Sequence, residues 1–311
     1  MAKCWHGARR VRSFFLFPDL PWRHAPAVQP LSAEDIRRAV QAALAEDIGS
    51  GDVTTLSAVP EAAQARAVMR AREPLVVAGV AFAEAAFREL SPAVKIERAV
   101  SDGRHAKEGE VLLRISGPAR AILSAERVAL NFVQRLSGIA TLTAQFVDAV
   151  KGTRAKILDT RKTTPGWRRL EKYAVACGGG RNHRMGLFDM VLIKDNHLAT
   201  LRNELPNAIA GAVQRARARY AALKVEVEAD TLEQVEQAVA AGADMVLLDN
   251  MNVVQLRLAV QKCKDRALTE ASGGVTLAGV RAIAETGVDF ISVGALTHSA
   301  RAVDIGLDFE L

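Results

Sequence analysis

Residues 224–249 read KVEVEADTLEQVEQAVAAGADMVLLD, and this stretch decides the fold. An apolar run, 224–228 (KVEVE), stops at Glu228. A helical pattern follows over Leu232 to Ala241. A second apolar run, 245–249 (MVLLD), stops at Asp249. Strand, helix and strand in so short a span make one β/α unit, and strands joined this way lie parallel. The alternation continues in both directions, with apolar runs at 155–159 (AKILD), 190–194 (MVLIK), 267–271 (ALTEA) and 290–294 (FISVG). Another helical pattern spans Val253 to Cys263. The spacing predicts a parallel sheet of six units. No GxGxxG follows the first strand, which favours a β/α barrel over an open doubly wound sheet.

Parallel strands bring their C-terminal ends to one face, the face that carries the site in such barrels. Polar residues stand at each of these ends: Asp159, Arg161 and Lys162; Lys194 and Asp195; Glu228; Asp249; Glu270 and Ser272; and Gly294. Six distant positions are therefore expected around one mouth. Strands do stop where polarity begins, but that alone does not explain carboxylates behind three of the six runs.

Residues 31–118 read differently. Ser32 and Asp35 form a capping-box pattern ahead of a helix whose apolar face is Ile36, Ala39, Val40, Ala43 and Leu44. Gly49 to Asp52 reads as a turn. Strands are expected at Ala65 to Ala71, Leu75 to Gly79, Val94 to Val100 and Glu110 to Ser116, with a helix at Ala81 to Leu90. A long helical stretch, Ala119 to Val150, follows, with Gly138 as a candidate break. This is an α+β pattern separate from the barrel.

The composition excludes several classes. Half of the 311 residues are hydrophobic and 24% are charged, so the chain is not disordered in the main. The longest uncharged run is the 12 residues from Leu136 to Val147, too short for a membrane span. Cys4, Cys177 and Cys263 have no CxxC spacing, which argues against a zinc ribbon and for a reducing compartment. The net charge of +6 suggests a nucleic-acid binder at first. However, Lys3, Arg9, Arg10, Arg12 and Arg23 stand against Asp19 alone in residues 1–30. The other 281 residues hold 36 cations and 34 anions. Any basic patch in the folded part must be local, which favours a small polyanion over a duplex. Residues 1–30 read as a disordered extension or a misassigned start, with an Arg-rich, acid-poor transit peptide as a further reading.

The cations concentrate in 159–197. Arg161, Lys162, Arg181, Arg184, Lys194, His183 and His197 fall here, around the glycine run 178–180. Arg grips carboxylates and phosphates with paired hydrogen bonds, and such a cluster needs a multiply anionic ligand. Glu228 and Asp249 lie at the ends of adjacent strands and suit Mg²⁺ shared with substrate phosphates. Rim ion pairs with Lys162 or Lys194 are the alternative. Glu226, alternating with Glu228, and Asp244, preceding its strand, are weaker candidates. Ser272-Gly273-Gly274 and Val293-Gly294-Ala295 follow the last two strands, a recurrent phosphate site in barrels. Lys162 or Lys194 could instead form a Schiff base. Cys177 fits packing better than nucleophilic chemistry.

These residues fall in motifs that resemble the quinolinate phosphoribosyltransferase family (nicotinate-nucleotide pyrophosphorylase, carboxylating), a type II phosphoribosyltransferase family. The motifs are EDIGSGDVTT at 46–55, ERVALN at 126–131, DTRKTTPG at 159–166, GGGRNHRMGL at 178–187, KDNH at 194–197, EVE at 226–228, LLDN at 247–250, EASGG at 270–274 and SVGALTHS at 292–299. The resemblance runs from about Leu31 to the C-terminus. It implies an N-terminal open α/β sandwich (31–130 plus 299–311) and an incomplete parallel β/α barrel (131–298). It implies a glycosyltransferase of NAD biosynthesis that joins quinolinate to phosphoribosyl pyrophosphate (PRPP), giving nicotinate mononucleotide, pyrophosphate and CO₂, with Mg²⁺.

Carried over residue by residue, it implies catalytic roles for Lys162, Lys194, Glu228 and Asp249. It implies quinolinate contacts from Arg127, Arg161, His183, Arg184 and Lys194. PRPP falls to Lys162, Glu228, Asp249, Ser272, Gly273, Gly274, Val293, Gly294, Ala295 and His298, with the metal on Glu228 and Asp249; Thr160 is implied to be substrate-binding without assignment to either substrate. It further implies a cytoplasmic homodimer, or multiples of dimers, in which Arg127 enters the partner subunit's site, without nucleic-acid or membrane partners. A paralogue using nicotinate or another base, a molybdate-operon paralogue and a nucleotide or nucleic-acid binder are the competing readings.

Overall fold

The computed structural model describes residues 31–310. Residues 1–30, and the extension and transit-peptide readings placed on them, lie outside the described residues. The chain enters through α1 (Ala33–Ile48), started by the expected capping box: Asp35 N–H donates to Ser32 Oγ and Ser32 N–H to Asp35 Oδ2, both at 3.1 Å. Asp52 then caps a short helix, α2 (Val53–Ala58), by accepting the Thr55 N–H at 2.9 Å. Its mixed sequence, VTTLSA, carries no apolar period and gave no helical expectation.

There follow β1 (Gln64–Ala71), β2 (Leu75–Val76), α3 (Val80–Leu90), β3 (Lys95–Arg98), β4 (His105–Ala106) and β5 (Val111–Pro118). The long α4 (Ala119–Ala149) connects this part to the barrel. The barrel elements are β6 (Lys156–Leu158), α5 (Arg168–Cys177), β7 (Val191–Ile193), α6 (Asp195–Ala199), α7 (Ala208–Arg219), β8 (Val225–Ala229), α8 (Leu232–Ala240), β9 (Met245–Asp249), α9 (Val253–Cys263), β10 (Leu268–Ser272), α10 (Val280–Ala284), β11 (Phe290–Ser292) and α11 (Ala295–His298). The chain returns as β12 (Ile305–Glu310).

The first sheet has the order β12-β1-β5-β3 and is antiparallel. Its edge strand β12 pairs with β1 from Arg66↔Glu310 to Ala71↔Ile305, so the C-terminal segment completes the first sheet. Its core includes Met69, Leu113, Ile115, Phe82 and Phe87, all essentially inaccessible. An aromatic column leads from here toward the site. Phe82 stacks on Phe132 of α4 at 4.9 Å, and Phe132 on Trp167 at 5.2 Å.

The second sheet is parallel throughout, in the order β6-β11-β10-β9-β8-β7. β6 and β7, consecutive in the chain, are the two edges, so the barrel is incomplete between them. Arg181 lies along the free edge of β6: its N–H donates to the Ile157 carbonyl at 2.8 Å. Period-two alternation sorts the strand residues. Ile157, Val246, Leu248, Ala271 and Ile291 join the main core with the helices. Leu158, Met245 and Phe290, with Leu268, form a separate apolar cluster that floors the lumen. On the same parity come Glu226 and Glu228, Asp249, and Glu270 and Ser272.

Gly138 does not break α4, which runs unbroken past it and past residue 130. The glycine has another use. A Cβ there would lie 1.9 Å from the Arg301 carbonyl oxygen, so only glycine lets the returning chain cross the helix this closely. Among the described residues no helix is long and apolar enough to cross a membrane.

Candidate active site

The first strand end is built around a buried ion pair. Asp159 and Lys172 are both about fully buried and hydrogen-bonded to each other. Asp159 also accepts from the His183 N–H at 2.8 Å and from Asn182 Nδ2 at 2.6 Å. Lys172 Nζ donates to the His183 carbonyl at 3.0 Å. Burial pushes Asp159 up and Lys172 down, while each favours the other's charge. The pair fixes the loop that carries His183 and Arg184.

His183 turns inward. Its Nε2 lies 3.1 Å from Glu226 Oε2 and 3.3 Å from Glu270 Oε2. Burial alone would depress the ring, but Glu270 and then Glu226 outweigh it and push it up to about 10. Its Nδ1 lies 2.7 Å from the Arg184 N–H, which donates to it. Nε2 faces the two carboxylates, whose charge favours a proton there. Burial, and then the charge of Glu270, push Glu226 up to about 7, while His183 opposes them. The three side chains could hold a metal by proximity, their ligand atoms lying within 4.8 Å of one another. A metal on Nε2 would need the proton on Nδ1, where the Arg184 N–H already donates. Within the cluster His183 is hydrogen-bonded to Glu226, while Glu226 Oε1 and Glu270 Oε2 are buried without a hydrogen-bond partner.

Above it lie two guanidiniums. Arg184 is buried and donates through Nη1 to the Met190 carbonyl at 3.2 Å. Burial, and then the charge of Arg161, lower Arg184 from its ordinary value. Arg161 Nε is buried without a partner. Two neighbouring cations, one repelling the other and one short of an acceptor, make a site for an anion with more than one carboxylate or phosphate oxygen to offer.

Lys194 Nζ is hydrogen-bonded to Glu228. The rim pair expected as an alternative thus forms with Lys194, while Lys162 belongs to another part of the mouth. Asp249, on the neighbouring strand, accepts from Asn250 Nδ2 at 2.6 Å. The two carboxylates supply hard oxygen donors, suited in kind to Mg²⁺. Their number leaves most of its coordination to phosphate and water.

The glycine turns meet the same mouth. Gly273 has φ 96°, and a Cβ on it would lie 2.2 Å from Asn250 Oδ1. A Cβ on Gly294 would lie 2.9 Å from Lys162 Cδ and 3.2 Å from His298 Nε2, so Lys162 and His298 converge there. Thr160 Oγ1 accepts the Lys162 N–H at 3.0 Å and shapes the loop. Val293 is buried, and its N–H donates to the Leu158 carbonyl at 2.9 Å. The Val293 N–H therefore ties strands together and is not offered to a ligand; Ser272 and Ala295 are partly accessible.

Arg127 is exposed on α4 and makes no hydrogen bond or ion pair among the described residues. Asp244 is at the other end of its strand, bound to Arg217 at 2.7 Å and to the Val225 N–H at 2.8 Å, outside the site. His197 Nδ1 accepts the Lys194 N–H at 2.8 Å and orders the start of α6. Cys177 is buried, and burial pushes its thiol up to about 12, which fits packing and not nucleophilic attack. Lys172, Asn182 and Glu171 gave no functional signal in the sequence, and Glu270 gave only its place at a strand end. Glu270 meets His183 from 87 residues away, and the nearer partners of the other three fall at spacings that no helix or strand period marks.

Comparison with known proteins agrees with this geometry. The family model "Quinolinate phosphoribosyl transferase, N-terminal domain" matches residues 52–137, and the corresponding C-terminal domain model matches 139–308. The chain is 46% identical over 278 residues to the nicotinate-nucleotide pyrophosphorylase (carboxylating) of Mycobacterium leprae (strain TN), covering 88% of this chain and 96% of that one. It is 44% identical over 292 residues to the chloroplastic protein of the same description from Arabidopsis thaliana, covering 89% and 83%. The solved nicotinate-nucleotide pyrophosphorylase of Francisella tularensis superposes with a TM-score of 0.86 at 39% identity, covering 92% of this chain and 100% of that one.

Proposed function

We propose that this chain, which belongs to the quinolinate phosphoribosyltransferase family, transfers phosphoribosyl from PRPP to quinolinate through the barrel mouth just described. The products are nicotinate mononucleotide, pyrophosphate and CO₂, a step of NAD biosynthesis. One observation carries the substrate reading: Arg184 is buried beside Arg161, whose Nε has no partner. Quinolinate's two adjacent carboxylates complement that pair, with Lys194 beside it. His183 lies beneath, with its Nε2 turned to Glu226, and supports Arg184 through the backbone.

PRPP spans the rest of the mouth. Lys162 faces its pyrophosphate, and the turns Ser272–Gly274 and Gly294–Ala295, with His298, face its 5-phosphate. Glu228 and Asp249 lie toward the ribose and would hold Mg²⁺, which when bound neutralises the pyrophosphate charge. The quinolinate ring nitrogen donates its lone pair to ribose C1, and the C1–O bonding electrons leave with pyrophosphate. Charge developing on the ribose is stabilised by the carboxylates, and charge on the leaving group by Lys162. Much of the acceleration comes from alignment, since no covalent enzyme intermediate is needed. The adjacent pyridinium nitrogen then stabilises the electron pair left on C2 as the carboxylate departs as CO₂. A proton from the Lys194 ammonium or from water replaces it on C2.

Arg127 completes the quinolinate site from the partner subunit of a homodimer. Its exposure and lack of hydrogen-bond or ion-pair partners among the described residues support this, as do the exposed Leu187 and Phe188 that follow Arg184. The free Cys177 and Cys263 fit a reducing compartment such as the cytoplasm.

Titration of the protein with quinolinate and with nicotinate tests the substrate reading. Quinolinate should bind at least about tenfold more tightly, since the second carboxylate gains a charge-assisted hydrogen bond. Arg161→Ala should erase that preference. Equal affinity for both acids in the unaltered protein would overturn it.

A further inference from the structure

The buried Thr297 hydroxyl of α11 donates to the Lys162 carbonyl at 2.7 Å. It joins the turn after β11 to the loop after β6, 135 residues away in the chain. Arg135 of α4 reaches the same place from behind. Its Nη2 donates to the Thr297 carbonyl at 2.6 Å, and its Nη1 to the Ala300 carbonyl. The guanidinium pairs at 3.3 Å with Glu171 of α5, whose side chain is fully buried. Glu171 in turn accepts the Thr164 N–H at 3.0 Å and the Thr164 hydroxyl at 2.8 Å. Thr164 lies two residues beyond Lys162 in the same loop. A buried carboxylate with three donors is a fixed point, because losing any donor leaves charge without compensation.

We propose that Arg135, Glu171, Thr164 and Thr297 are positioning residues that set the distance between Lys162 and the Gly294 turn, and so the fit of the mouth to PRPP. This rests on placing PRPP at Lys162 and Gly294. Its pyrophosphate and 5-phosphate must reach both elements at once, so a shift of either loop misplaces the reacting carbon. Quinolinate is held mainly from other elements, by Arg184 and Lys194, with only Arg161 from the Lys162 loop, so it depends less on that span.

The test is steady-state kinetics with each substrate varied in turn, on Thr297→Val, Thr297→Ser, Glu171→Gln and Lys162→Ala, with a melting curve for each. Valine keeps the shape and removes the hydroxyl. Thr297→Val should raise the KM for PRPP about tenfold, the usual loss when a buried acceptor is left unpaired. The KM for quinolinate should stay within about twofold, and Thr297→Ser should restore PRPP binding. Glu171→Gln should show the same selectivity, and it decides the matter if Thr297→Val does not fold. The proposal is overturned by a PRPP KM within about twofold of the unaltered protein, by equal rises in both KM values, or by serine no better than valine. An unchanged PRPP KM in Lys162→Ala would instead refute the placement of PRPP. A raised one beside a silent Thr297→Val would refute the positioning role alone.

Discussion

Lys194 and Glu228 are hydrogen-bonded to each other across the neighbouring strands β7 and β8. The pair joins the cation assigned to quinolinate with the carboxylate assigned to the ribose, so each occupies the other until substrates arrive. Glu228→Gln should lower kcat at least about a hundredfold, in the range for removal of one transition-state stabiliser. The same change frees Lys194, so quinolinate should bind as tightly as before or more so. Stopped-flow turnover and calorimetric titration read the two effects separately; weaker quinolinate binding would contradict the competition between them.

Arg127 is exposed and makes no hydrogen bond or ion pair among the described residues. Arg127→Ala should therefore leave the melting temperature within about 2 °C, as for an isolated surface position. Its effect should be a raised quinolinate KM or lost turnover. Mixing Arg127→Ala and Lys162→Ala subunits, each impaired alone, should give more activity than either variant, since a hybrid dimer holds one intact site. No recovery after demonstrated subunit exchange would count against a site built by two chains.

Lys172 and Asp159 are a buried pair whose further hydrogen bonds hold the His183–Arg184 loop. Lys172→Met leaves the Asp159 carboxylate buried without its cation. The expected cost is about 3 kcal/mol, read as a lower urea midpoint. Asp159→Asn in the same background should recover part of it, because the uncompensated charge is gone.

Glu73 fastens the returning C-terminal segment. Arg301 Nη1 donates to it at 2.7 Å and the Asp304 N–H at 2.8 Å, and these bonds hold its carboxyl down at about 2, against an ordinary 4.5. A lowered folded-state value stabilises the fold above the ordinary value, and the gain is lost as pH falls from there toward 2. Arg301 is largely exposed, so the contribution is about 1 kcal/mol after solvent screening. Glu73→Gln should be less stable by that amount at neutral pH. The gap should close between about pH 4.5 and 2, as followed by urea unfolding. A gap independent of pH would contradict the assignment.

The legible part of this protein lay in short-range pattern. The run–helix–run alternation around 224–249 placed Glu228 and Asp249 on adjacent strand ends, and the structure pairs those strands. The capping box at Ser32 was equally local. What escaped the sequence depends on chain crossings. Glu270 meets His183 from a strand 87 residues further on, and Thr297 meets Lys162 across 135. Gly138 read as a helix breaker because its reason for being glycine, the Arg301 carbonyl, arrives from the far end of the chain. Arg127 was marked only by the motif resemblance, since nothing among the described residues distinguishes it from an ordinary solvated arginine. Val293 was grouped with the phosphate turn, but its N–H is spent on Leu158.

The most direct test of the account is turnover of the purified protein with PRPP and Mg²⁺, using quinolinate labelled at the C2 carboxylate with carbon-14, beside a parallel reaction with nicotinate. The paired guanidiniums of Arg161 and Arg184 predict nicotinate mononucleotide with one equivalent of labelled CO₂ from quinolinate, and no nucleotide from nicotinate. Nucleotide formed from nicotinate, without release of CO₂ from quinolinate, would contradict the dicarboxylate site.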